Sequence, residues 1–250
     1  MSLLPPLLTF ALTLVLLLAL SRWLNRQVQI IGLRVTGSGA VTIMLYYLVM
    51  FPGIVLHELS HYITAAVLGL KVGKFSLGPK VRRNAIELGS VTVSSGGPMR
   101  DSLVGLAPFI AGTLVLLLVS FQVFDVATLG QEWTRAGWTG VARQLDSIWL
   151  APDFWVWAYV IFVVSNAMTP SAADRQPWLV AAVYIAGALL LAWLLGGLPL
   201  LADALRDRVA GALQILTLGF AFTVAVNVLI AAFLLFIEVV IIQVQRGRRA

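Results

Sequence analysis

The chain has 250 residues, 60% of them hydrophobic and only 11% charged. That balance belongs to a membrane protein, not to a soluble core. It makes the formal charge of +6 a determinant of topology rather than of nucleic-acid binding. Cysteine is absent, which excludes disulfides and thiolate metal sites.

The predicted elements follow in chain order. An apolar run from Leu3 to Leu20 matches one bilayer thickness. It has no basic residue before it and is long for a signal peptide, so it reads as a retained first transmembrane helix. Arg22, Arg26 and Arg34 follow, and Gly37-Ser38-Gly39 ends the loop. A second helix is expected from Val41 to Leu68, stopped by Gly69 and kinked by Pro52. From Lys71 to Ser95, short alternating runs broken by Gly and Pro predict a small β-hairpin at the membrane surface. Lys71, Lys74, Lys80, Arg82 and Arg83 make it basic.

Gly96-Gly97-Pro98 leads into a third helix, Arg100 to Phe121, which contains Pro108. Small residues Gly105, Ala107, Ala111 and Gly112 permit close packing there. Residues Gln122 to Asp153, with Trp133, Trp138 and Trp149, fit an interfacial loop. A fourth helix is predicted from Phe154 to Ala173. If it persists, Asn166, Pro170 and Asp174 share one face. A fifth runs from Trp178 to Leu195. Ala202 to Arg208 reads as a charged connector, and Val209 to Val244 as a last, tilted or broken helix. Glu238, late in it, is expected to snorkel to the nearby surface. The basic tail is Arg246, Arg248 and Arg249.

The expected fold is thus an all-α polytopic membrane protein. It has about six transmembrane helices and a small β-hairpin at the membrane surface between helices two and three. Residues 1–40 form the first helix and its loop, 41–176 the central unit, and 177–250 two further helices and the tail. Six crossings put both termini on one side. That side carries ten of the 17 Lys and Arg, so both termini are expected in the cytoplasm, with the protein in the plasma (inner) membrane.

The second helix carries the chemistry. His57-Glu58-Leu59-Ser60-His61 contains the only two histidines. At i and i+4 they lie on one helix face and can grip one metal ion, with Glu58 about 100° round from His57. His-Glu-x-x-His on a helix is the zinc hydrolase signature, in which the glutamate is the base that activates water. A glutamate in so apolar a helix costs about 2 kcal/mol or more, and imidazoles without a partner add to that. A shared metal removes the difficulty. A catalytic zinc takes three protein ligands, so the third here must be a carboxylate. The candidates are Glu87, Asp101, Asp125, Asp153 and Asp174. The six-helix topology sends Asp125 and Asp153 to the far side. It leaves Glu87 in the hairpin and Asp101 as a helix cap. Asp174 fits best, at the depth of the histidines.

These residues resemble the site-2 protease family of intramembrane zinc metalloproteases (peptidase family M50). The likeness rests on His57-Glu58-Leu59-Ser60-His61 in an early transmembrane helix, and on Asn166 followed by Pro170 and Asp174 in a later one. Gly97-Pro98-Met99-Arg100-Asp101 is similar to the family's Gly-Pro segment. The resemblance implies that His57, His61 and Asp174 bind Zn2+, that Glu58 is the catalytic base, and that Asn166 holds the substrate backbone or the site. It implies an intramembrane endopeptidase whose substrate is a membrane protein or a signal peptide. Arg175 departs from the family pattern, which has glycine after the ligand aspartate. That departure motivates an alternative: a catalytically inactive accessory or scaffold subunit associated with another membrane complex. A transporter relaying ions through His, Glu and Asp is a third reading.

Overall fold

The structure is a computed structural model that describes residues 3–82, 85–194 and 197–247. Expectations resting on Arg83, Leu195, Arg248 and Arg249 lie outside the described residues. Helix α1 spans Leu4–Thr36, with proline in its first turn, where no N–H is needed. It ends at Gly37, whose left-handed conformation (φ 64°) donates its N–H to Leu33 O. It is therefore 16 residues longer at its C-terminal end than the apolar run that announces it, 36 against 20. Arg22, Asn25 and Arg26 end an apolar stretch but are compatible with a helix. Helix α2 spans Gly39–Val67 and contains Pro52.

Strands β1 (Val72–Arg82) and β2 (Ala85–Val93) form a two-stranded antiparallel sheet, with Phe75 opposite Val91, Leu77 opposite Gly89 and Lys80 opposite Glu87. The hairpin does not sit beyond the end of α2, as a surface hairpin would. It lies along the helix. The Phe75 ring packs on Tyr62, β2 crosses Glu58 at Gly89, and Leu88 shares a cavity with Tyr46. Tyr62 and Tyr46 are separated by about 24 Å of helix. Leu88 packs against the hydrophobic core, which explains why the hairpin turns inward.

Helix α3 spans Pro98–Leu118 and runs on as one π-helical turn, Val119–Val123. Residues read as an interfacial loop are mostly helical: α4 spans Val126–Trp149, broken by Gly137 in a non-helical conformation (φ 57°, ψ −139°). Helix α5 spans Phe154–Ala167, and its axis turns 92° from the second half of α4. It stops six residues before Ala173, because Pro170 has no N–H for the Asn166 carbonyl. The expected single face of Asn166, Pro170 and Asp174 is therefore not formed. A one-turn helix α6, Ala172–Arg175, follows, then α7, Trp178–Leu194, and α8, Gly197–Gly247. Helix α8 runs unbroken through Ala202 to Arg208, so the connector expected there is helical.

Among the described residues, four helices are long and apolar enough to cross a membrane, or five if the α4–α5 pair is one broken span. The described part of helix α7 has 17 residues and extends about 25 Å. The chain is an all-α multi-pass membrane protein with one small sheet. The core lies where α1, α2, α3, α5 and α8 meet, around Leu17, Met50, Leu116, Ile161 and Phe220.

Helices α1 and α8 run side by side in the same direction. Phe10 stacks on Phe220, Gln27 bonds Glu238, and Gln245 donates to Arg34 O at 2.9 Å. Glu238 does not snorkel. It pairs with Arg34 at 3.2 Å and accepts from the buried Gln27. The parallel course places the C-terminal ends of α1 and α8 together, at the opposite end of the bundle from Leu4. If both helices cross the bilayer, this arrangement puts Leu4 and Gly247 on opposite faces rather than on the one side expected.

Candidate metal centre

The centre is built from carbonyl groups that proline and helix ends leave without partners. His57 and His61 lie one turn apart on α2, their rings edge to face at 4.8 Å. On α3, the carbonyl of Val104 would bond the N–H of residue 108. That residue is Pro108, so the carbonyl is free, and His61 Nδ1 donates to it at 2.8 Å. On α5 the last four carbonyls cannot be satisfied within the helix ladder. Val164 O accepts from Met168 N, Ser165 O from Ser21 Oγ, Asn166 O from Thr169 Oγ1, and Ala167 O from His57 Nδ1 at 2.7 Å. A carbonyl can only accept, so each Nδ1 carries a proton, and in the neutral ring each Nε2 presents a lone pair.

Asp174 comes to the same point on α6. Ser171 and Asp174 form a reciprocal capping box: Ser171 Oγ accepts from Asp174 N at 3.2 Å, and Asp174 Oδ2 accepts from Ser171 N at 2.7 Å. The short helix seats directly on α3, where a Cβ at Gly105 would collide with the Asp174 carbonyl. Arg175 turns away, its exposed side chain donating Nε to Ser171 O at 3.2 Å.

The two Nε2 atoms lie 3.2 Å apart, and Asp174 oxygens lie 3.3 Å from His61 Nε2 and 3.8 Å from His57 Nε2. Ligands about 2.0–2.1 Å from a tetrahedral zinc stand about 3.3–3.4 Å from one another. Two imidazole lone pairs and a carboxylate thus converge with no N–H or O–H directed between them. A single proton relieves one of these close pairs; a cation relieves all three. Among the described residues His57, His61 and Asp174 are the only three such side chains close enough to hold one ion. Both ring Nδ1 atoms are oriented by backbone carbonyls, the outer support that metal-binding imidazoles require.

The other carboxylates do not join them. Asp101 accepts from Ser95 Oγ at 2.6 Å and from Gly96 N at 2.8 Å, tying the end of the hairpin to the first turn of α3 rather than capping the helix. Asp125, with φ 44°, accepts from Thr128 beyond the π-helical turn. Glu87 and Asp101 line the cavity of about 1000 Å³ that opens on the three ligand candidates. The same cavity is lined by Glu58, by β2 from Glu87 to Val91, and by Asn166. Asn166 is buried. Its Nδ2 donates to Phe162 O at 2.7 Å, leaving Oδ1 without a partner.

Three features of the centre have no sequence motif, and a fourth has one. Gly53 lets α2 approach α5 so closely that a Cβ there would strike the Val163 carbonyl. Gly89 lets β2 cross Glu58, where a Cβ would lie 2.7 Å from Glu58 Cγ. Pro108 frees the carbonyl that orients His61. Ser171 holds Asp174, and a Ser-x-x-Asp signal before a helix was there to be read. No protein-family model matches the chain, and neither a curated protein nor a solved structure does.

Proposed function

We propose that the protein is an intramembrane zinc endopeptidase of the site-2 protease type. The observation that carries the reading is the convergence of the two imidazoles of α2, a helix of membrane length, and one carboxylate beside a buried glutamate. Zinc held by His57, His61 and Asp174 would supply Lewis acidity at a scissile carbonyl and lower the pKa of water towards about 7. Glu58 is the only acid on α2. It accepts a proton as water attacks the peptide carbon, and returns it to the amine as the C–N bond breaks.

Substrate binding follows from the cavity wall. A helical substrate hides its carbonyls, so it must be unwound before attack. Among the described residues β2 pairs only with β1 and keeps its other edge unpaired, so an extended segment can add to it as a strand. Asn166 uses its N–H group on its own helix, so the free Oδ1 is suited to accept a substrate N–H rather than to hold a carbonyl. Arg175, turned outward, leaves the centre clear despite the departure from the family pattern.

The test is cleavage of a transmembrane model substrate by purified protein in detergent with zinc. Wild type should cleave it, and Glu58→Gln should retain zinc and lose at least about 10²-fold in rate. Undiminished cleavage by Glu58→Gln would reject the base. Zinc bound by wild type with no cleavage of any substrate would favour the accessory-subunit alternative.

A further inference from the structure

We infer that Asn227 of α8 is a positioning residue for the metal centre, acting through Ser165 and the last turn of α5. The inference rests on the metal reading above. Asn227 is fully buried among apolar neighbours of α8. Its Nδ2 donates to Ser165 Oγ at 3.0 Å, and Ser165 Oγ in turn donates to Phe162 O at 3.1 Å. The same Phe162 carbonyl accepts from Asn166. From the other side, Ser21 of α1 reaches the Ser165 carbonyl at 3.4 Å. Two residues further on, Ala167 O holds His57 Nδ1.

The last turn of α5 is therefore a junction. One helix supports the imidazole of α2, and two helices outside the central unit, α1 and α8, hold that helix end by side-chain hydrogen bonds. Packing alone would favour an apolar residue at 227, since a buried amide must find partners. Asn227 finds only one: its Oδ1 is buried without a partner. An incompletely satisfied amide in a bundle core is unfavourable for stability. What it accomplishes is to fix the azimuth of Ser165, and with it the carbonyl two residues later. Groups that orient a ligand ring set metal affinity as well as geometry. By this route the terminal helices contribute to the centre without touching it.

The experiment measures metal binding by the full-length protein in detergent, by chelator competition for zinc and by the visible spectrum of the cobalt(II) form. Asn227→Leu and Ser165→Ala are compared singly and together. Each single variant should weaken zinc binding by about tenfold, the low end for groups that support a ligand, and should shift the cobalt bands. The double variant should be no weaker than Ser165→Ala alone, because Asn227→Leu removes a hydrogen bond that Ser165→Ala has already removed. If Asn227→Leu does not fold, Ser165→Ala, which deletes a single oxygen, carries the same test. A lowered melting temperature with unchanged zinc affinity and an unchanged cobalt spectrum would make Asn227 merely structural and overturn the inference. Additive losses would overturn it too. Absence of zinc binding in wild type would sink the metal reading and this inference together, whereas wild-type binding with unaltered variants sinks this inference alone.

Discussion

Gly89 is as much a part of the proposed chemistry as Glu58. Its missing side chain lets β2 pass over the glutamate, and an added Cβ would sit 2.7 Å from Glu58 Cγ. Something must move, and the carboxylate is the more mobile partner. A base displaced by about 1 Å can lose about 10²-fold in rate. Gly89→Ala should therefore keep full zinc content and lose about two orders of magnitude in cleavage of the model substrate. Equal losses of zinc and activity would show instead that the hairpin supports the ligands. At this scale the sequence is informative where residues share one helix. His57, Glu58 and His61 declare themselves by spacing, because i and i+4 is a geometric fact of any α-helix. Asp174 is legible by elimination of the other carboxylates and by its place in the chain. Gly89, Ser165 and Asn227 are silent because their roles arise from what crosses them, and no local pattern encodes that.

The helices tell a similar story about ends. Apolar length locates α2, α3 and α5 well, since burial in lipid demands it. It misplaces their limits wherever polar residues continue a helix or proline stops one. Thus α1 runs through Arg22 and Arg26 to Thr36, and α8 through residues 202–208. α5 stops at Ala167 because Pro170 lies ahead. That early stop is useful: it releases the Ala167 carbonyl to His57 and lets α6 carry Asp174 back on a separate turn. The α2–α5 approach is set at Gly53, where a Cβ would strike the Val163 carbonyl. Gly53→Ala should force the helices apart and destabilise the protein by about 1–3 kcal/mol, the usual consequence of overpacking. It should also weaken zinc binding, because Ala167 O moves with α5. Thermal unfolding in detergent, with and without zinc, checks both. An unchanged melting temperature would show that the two helices can separate here without loss.

Over the whole molecule, the parallel course of α1 and α8 makes a prediction about topology. Phe10 with Phe220 and Arg34 with Gln245 bring their C-terminal ends together. If both cross the bilayer, Leu4 and Gly247 lie on opposite faces, as an odd number of crossings requires. The count of six expected from the sequence includes α7 as a span. The cysteine-free chain gives a clean test. Leu4→Cys and Gly247→Cys, each alone in sealed vesicles of one orientation, should react with an impermeant maleimide from opposite sides; labelling of both from one side would restore the six-helix topology. The Arg34–Glu238 pair then serves as a register pin between the two helices. All of this surrounds one claim, that α2 and α6 deliver three ligands to a single cation. Elemental analysis of purified wild type beside Asp174→Ala tests it most directly. One zinc per chain in wild type and a large loss in Asp174→Ala is the predicted result. Equal metal content in the two proteins, or none in wild type, would contradict it.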